Sequence, residues 1–160
     1  MKYILSQKLL AFGDDFVIEE SRGKKIFTVD GKAFAIGEKL YFKDINNNVI
    51  FKIRKKLIKL TDTYEIQKDG ETYATVRKEM FTVFNEKFEI KTPYGEIKAK
   101  GNFIDYDFSF QKDGKEIAEV SKKFISIRDK YVVTIDEFQD EALLLACVVV
   151  IDMICHHDCD

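Results

Sequence analysis

A chain of 160 residues is long enough to bury a sizeable core and short enough to be one domain. Its 26 basic residues are nearly balanced by 28 acidic ones, which leaves no global field of the kind a general nucleic-acid binder uses. The 14 Phe and 7 Tyr with a single Pro exclude a disordered chain. The three Cys (Cys147, Cys155, Cys159) crowd into the C-terminal stretch, which fits a reducing cytoplasm better than a secreted disulfide scaffold.

The opening MKYILSQKLLAFGDD has neither the continuous apolar core nor the small-residue cleavage site of a signal peptide. No interior run reaches the roughly 20 apolar residues of a membrane span. The expectation is a cytoplasmic protein without transmembrane insertion, at most peripheral to a membrane, and without nucleic acid as partner.

From residue 19 the chain aligns with itself at a spacing of 24. EESRGKKIFTVDGKAFAIGEKLYF (19–42), KDINNNVIFKIRKKLIKLTDTYEI (43–66) and QKDGETYATVRKEMFTVFNEKFEI (67–90) are successive units, and QKDGKEIAEVSKKFISIRDKYVVTI (111–135) follows a shorter one. Each full unit carries a turn, a strand of about six residues, a charged corner and a second alternating strand. The turns Ser21-Arg22-Gly23, Asn46-Asn47-Asn48, Asp69-Gly70 and Asp113-Gly114 use residues that tolerate the positive φ of tight hairpins. Phe103, Tyr106, Phe108 and Phe110 extend the alternation, and Gly95 and Gly101 mark bends near Pro93. A 24-residue period can also signal a solenoid, but units made of hairpins favour an up-and-down meander. Roughly eleven to thirteen strands are expected over residues 3–135.

The last element is predicted as a helix over 137–154, opened by Asp136 and Gln139 as a capping box. Ala142 to Ile151 is apolar without a break. Val148, Val149, Val150 and Ile151 leave a strand as the alternative; length and the cap argue for helix. A helix with no polar face must be enclosed. A meander of about twelve antiparallel strands removes its exposed edges by closing into a barrel. A barrel so wide cannot fill itself with side chains, and a helix about 10 Å across fits the space. The fold class expected is mainly β: a closed antiparallel barrel of about twelve strands enclosing one hydrophobic C-terminal helix, with a polar tail at 155–160.

Phe12-Gly13-Asp14, the Lys-Asp-Gly pattern repeated at 68–78 and 112–123, Val120-Ser121-Lys122-Lys123-Phe124 and the apolar stretch from Ala142 to Asp152 resemble the LURP-one-related family, of the tubby C-terminal-like fold. The likeness covers nearly the whole chain, residues 1–160. It implies a twelve-stranded barrel around a central helix. Tubby proteins bind phosphoinositides through basic residues and phospholipid scramblases are proposed relatives, whereas many bacterial members have no assigned function. The resembling residues are structural punctuation and carry no catalytic signature.

Two clusters are candidate sites. Arg54-Lys55-Lys56, Arg77-Lys78 and Lys122-Lys123 recur at nearly equivalent places in their units, which puts them on one rim. They could hold phosphate headgroups of anionic phospholipid, or merely keep strand ends solvated. Cys155, His156, His157 and Cys159 are a weak candidate for metal, because structural zinc usually takes two separated ligand pairs; no metal or other cofactor is expected. Asp105/Asp107 and Asp14/Asp15 have no nucleophile system near them, and both His lie in the tail, so no enzyme is expected. Asp152 is expected to be wet where the helix leaves the barrel, with pairing to a barrel lysine as the alternative. Cys147 reads as a small buried hydrophobe. The leading function is a non-enzymatic binding or scaffold protein with an unknown protein partner. A peripheral module for anionic phospholipid is the alternative, and a metal-responsive regulator using the tail the second alternative.

Overall fold

The structure, a computed structural model, describes residues 1–8, 15–31, 39–56, 62–79, 86–122 and 130–157. Twelve strands precede one helix: β1 (Lys2–Lys8), β2 (Asp15–Glu20), β3 (Lys25–Gly31), β4 (Lys39–Asp44), β5 (Val49–Lys56) and β6 (Thr63–Lys68). β7 (Glu71–Glu79), β8 (Lys87–Thr92), β9 (Gly95–Asn102), β10 (Asp107–Lys112), β11 (Lys115–Lys122) and β12 (Lys130–Ile135) complete the sheet, and α1 spans Glu141–His157. Each strand pairs antiparallel with its neighbours in sequence, and β1 pairs with β12 to close the barrel.

The repeat is visible in the backbone. Register shifts fall beside the turns of the β2–β3, β4–β5, β6–β7 and β10–β11 hairpins, at Ile18/Glu19, Phe42/Lys43, Ile66/Gln67 and Phe110/Gln111. A bulge there increases the local twist and lets a short turn close the hairpin. Alternation places one side of each strand inward, and large residues face small ones: Phe110 and Phe88 oppose Ala99, and Ile66 opposes Ala74. The expected continuation through Phe103 and Tyr106 is broken: residues 103–106 form a turn, with Tyr106 at φ 54°, although both rings remain buried. Gly101 permits that turn, since a Cβ on it would stand 2.5 Å from the Asp107 carbonyl oxygen.

α1 lies in the core that the strands enclose. Every residue from Leu143 to Cys155 is at most 5% exposed, and all but Asp152 join one apolar cluster with the inward strand side chains. At about 1.5–3 kcal/mol per large apolar side chain, its burial is worth more than the net stability of most domains. The helix starts later than the 137 expected and ends later than 154. Asp136 is not its cap, because its N–H donates to the Ile117 carbonyl and prolongs the β11–β12 ladder. The chain then turns through Phe138, at φ 67°, and Asp140 becomes the cap, its carboxylate accepting the Leu143 N–H at 3.0 Å. Asp152 is 4% exposed, against the expectation of a wet carboxylate, because α1 continues inside for another turn. Cys147 is fully buried, and burial pushes its thiol well above the usual range, so it packs as a hydrophobe. Among the described residues no helix is long and apolar enough to cross a membrane.

Leu145 has no exposed surface and packs in the apolar cluster that α1 shares with the strands. Leu145→Ala is expected to lower the unfolding free energy by about 2–5 kcal/mol in urea titration, with an unchanged m-value.

Candidate binding surfaces

Odd-numbered strands all run toward the rim where α1 ends, so the basic corners at the ends of β5, β7 and β11 do share a rim. They do not share a patch. Arg54, Lys55, Lys56, Arg77 and Lys78 come together at the ends of β5 and β7, the two strands that flank β6, with β8 beside them. Lys122 lies three strands beyond β8, and Lys123 lies outside the described residues.

The five clustered cations are interleaved with carboxylates. Glu65 accepts from Arg54 Nε and Lys56 Nζ, both at 2.8 Å. Lys55 Nζ stands 3.2 Å from Asp62, Arg77 Nη2 3.0 Å from Glu89, and Lys78 Nζ 2.8 Å from Glu86. Strand register causes this, since Arg54 faces Glu65 across β5–β6 and Arg77 faces Glu89 across β7–β8. Glu65 is the buried member, 4% exposed. The Lys56 hydrogen bond lowers its pKa, burial opposes this, and the bonds from Arg54 and Thr72 add to the lowering. Of these partners, sequence reasoning names Asp62, with Glu79 and Asp44, as an acidic neighbour that dilutes the field, and misses Glu65, Glu86 and Glu89; the available signal was the strand register, which sets residue 54 opposite 65.

The rim at the end of α1 holds an aromatic stack. Tyr106 lies 4.5 Å from Tyr131 and 4.9 Å from the His156 ring, both stacked, and Lys122 Nζ is 5.6 Å from its centroid. Asp152 Oδ1 is 3.8 Å from His156 Nε2, one helical turn away. The Tyr131 hydroxyl is buried and makes no hydrogen bond among the described residues; burial first, and then the Asp152 charge, pushes its pKa well up. Of the metal candidates, Cys155 is buried and His156 is committed to the stack, while Cys159 and the His157 side chain lie outside the described residues. Among the described residues no three His, Cys, Asp or Glu side chains come together as a metal site.

At the opposite rim, tyrosines tie the start of α1 to the wall. The Tyr3 hydroxyl donates to Glu141, and the Tyr73 hydroxyl donates to Asp140 at 3.0 Å while standing 2.9 Å from that of Tyr94. Burial first, then these hydrogen bonds, raise the Tyr73 pKa, so the phenol stays protonated.

The sequence model of the LURP-one-related family matches residues 1–152. The chain is 30% identical to the uncharacterized protein YxjI of Bacillus subtilis, over all of this chain and 97% of the other. An X-ray structure of a protein from Arabidopsis thaliana superposes with a TM-score of 0.71 at 17% identity, covering 96% of this chain and 91% of that one, a likeness of fold.

A carboxylate whose folded pKa is depressed contributes stability above its ordinary value, 4.5 for Glu65, and loses it as pH falls through the folded value. Glu65→Gln is therefore expected to cost about 1.5–3 kcal/mol at neutral pH. Thermal melts across pH should show the gap to the wild type closing below pH 4.5.

Proposed function

The chain belongs to the LURP-one-related family, and from that premise we propose a non-enzymatic binding or scaffold protein that works from the outside of its barrel. One observation carries the reading. Leu145, Val149 and Val150 of α1 have no exposed surface, so the helix takes the interior that a carrier barrel gives to its ligand. Recognition is left to the strand faces, the rims and the turns. Native affinity capture with the intact protein is expected to retain a partner that charge or aromatic substitutions on the surface release and Leu145→Ala does not. Turnover of esterase, phosphatase or glycosidase substrates above buffer would overturn it.

A peripheral lipid module is the second reading, favoured by the convergence of Arg54, Lys55, Lys56, Arg77 and Lys78 at one rim. The carboxylates of Asp62, Glu65, Glu86 and Glu89 among them keep its field short in range. Cosedimentation with phosphatidylserine or phosphoinositide vesicles is expected at low salt, falling steeply toward about 0.15 M. It should fall again when Lys55 and Lys56 become Glu. Absence of binding at low salt would remove this reading.

A further inference from the structure

Asp152 is a carboxylate, 4% exposed, on a helix otherwise apolar from Leu143 to Cys155. It lines a crevice with Val148 and Ile151 of its own helix, Phe103 and Phe108 of the wall, and the rings of Tyr106 and Tyr131. Such surroundings disfavour an ionised carboxylate, and the negative end of the helix dipole disfavours it further. Glu65, also buried, accepts from Arg54 and Lys56 at 2.8 Å, two groups that are charged at any physiological pH. Asp152 has a different neighbour. His156 Nε2 lies 3.8 Å from its Oδ1, one turn further along α1, on an imidazole that is charged only when it carries a proton.

The other titratable groups of this rim face the pair from three elements. Tyr131 on β12 presents a buried hydroxyl that makes no hydrogen bond among the described residues, and burial, then the Asp152 charge, pushes its pKa well up, so it stays neutral. Tyr106, from the turn between β9 and β10, stacks on both Tyr131 and His156. Asp105 in the same turn accepts from Asn102 at 2.7 Å. Lys122 on β11 keeps its ammonium over the Tyr106 ring, 5.6 Å from the centroid. Cys155 is buried on the same turn of α1 as His156.

We propose that one proton shared by Asp152 and His156 latches the last turn of α1, Met153 to His157, against Tyr106 and Tyr131. With that proton the pair has no net charge, whichever member carries it, and the turn stays seated. Without it a charged carboxylate stands against the apolar crevice and the Tyr131 hydroxyl, and the turn leaves the rim so that water reaches both. The seated turn therefore binds one proton more than the released turn, so its stability is complete at low pH and is lost as pH rises. Release changes what this rim displays, because Tyr106, Tyr131 and Cys155 become accessible. The latch adds a pH-dependent surface to the barrel whatever the partner is.

Amide hydrogen exchange of the full chain, corrected for intrinsic base catalysis, tests the latch from about pH 5.5 to about pH 8.5. Protection of Met153 to His157 is expected to fall at least tenfold over that range, while Leu145 to Ile151 keep theirs. Asp152→Asn, uncharged and equal in shape, should leave the turn protected at every pH. His156→Phe retains a ring to stack on Tyr106 but has no basic nitrogen, and should move the release to lower pH. Wild-type protection that does not change with pH, a loss that Leu145 to Ile151 share, or an unchanged pH profile in Asp152→Asn would overturn the latch. The wild-type profile and His156→Phe decide the matter should Asp152→Asn fail to fold.

Discussion

A helix with no polar face has to be enclosed, and a barrel of twelve strands has to be filled; each requirement in this protein is met by the other. α1 could not remain exposed in water from Leu143 to Ile154, and the strand wall without it would surround a void lined by Phe, Ile and Val. Small residues face large ones across the strand pairs, with Ala74 and Ala99 beside Ile66, Phe88 and Phe110, which leaves room inside the wall for a helix about 10 Å across. The polar ties at the start of α1, from Tyr3 to Glu141 and from Tyr73 to Asp140, fix where along the axis the helix sits.

The proposed function follows from this mutual dependence, since α1 occupies the interior. With the interior occupied, the outer surface divides into regions of different chemistry. The faces of β5 to β8 carry charge nearly cancelled in pairs. The rim at the end of α1 carries Tyr106, Tyr131 and His156 stacked above the buried Asp152. The rim at its start carries the exposed rings of Tyr94 and Phe138 beside Lys112 and Asp140. Paired charges across strands hold register and contribute modestly to stability, whereas the second and third regions hold groups that packing alone does not require.

The fold was legible because the same 24-residue pattern is written several times. The turn residues at Gly23, Asn47, Gly70 and Gly114 all take up positive φ, and the one stretch without alternation, Ala142 to Ile151, is the helix. What escaped the sequence depends on which residues meet in space. Asp136 and Gln139 have the spacing of a capping box, but the β11–β12 ladder claims the Asp136 N–H, so the cap falls to Asp140. Asp152 has the look of a helix leaving its barrel, yet it stays inside beside Tyr131 and His156, a neighbourhood that β12 and α1 build together. The basic corners were visible as a repeat, but their carboxylates lie on facing strands, where register rather than proximity in sequence decides the pairing. Phe138 gave no sign at all, since its significance lies in its backbone angle and its exposure.

The dependence of wall and helix on one another is measured most directly by native-state hydrogen exchange of the α1 amides. If the helix is the filling that keeps the barrel closed, the amides from Leu145 to Ile151 exchange only through global unfolding, with the same opening free energy as the slowest amides of β5 to β8. Exchange of α1 through a lower-energy opening that leaves those strands protected would show that the wall stands without it, and would contradict the account.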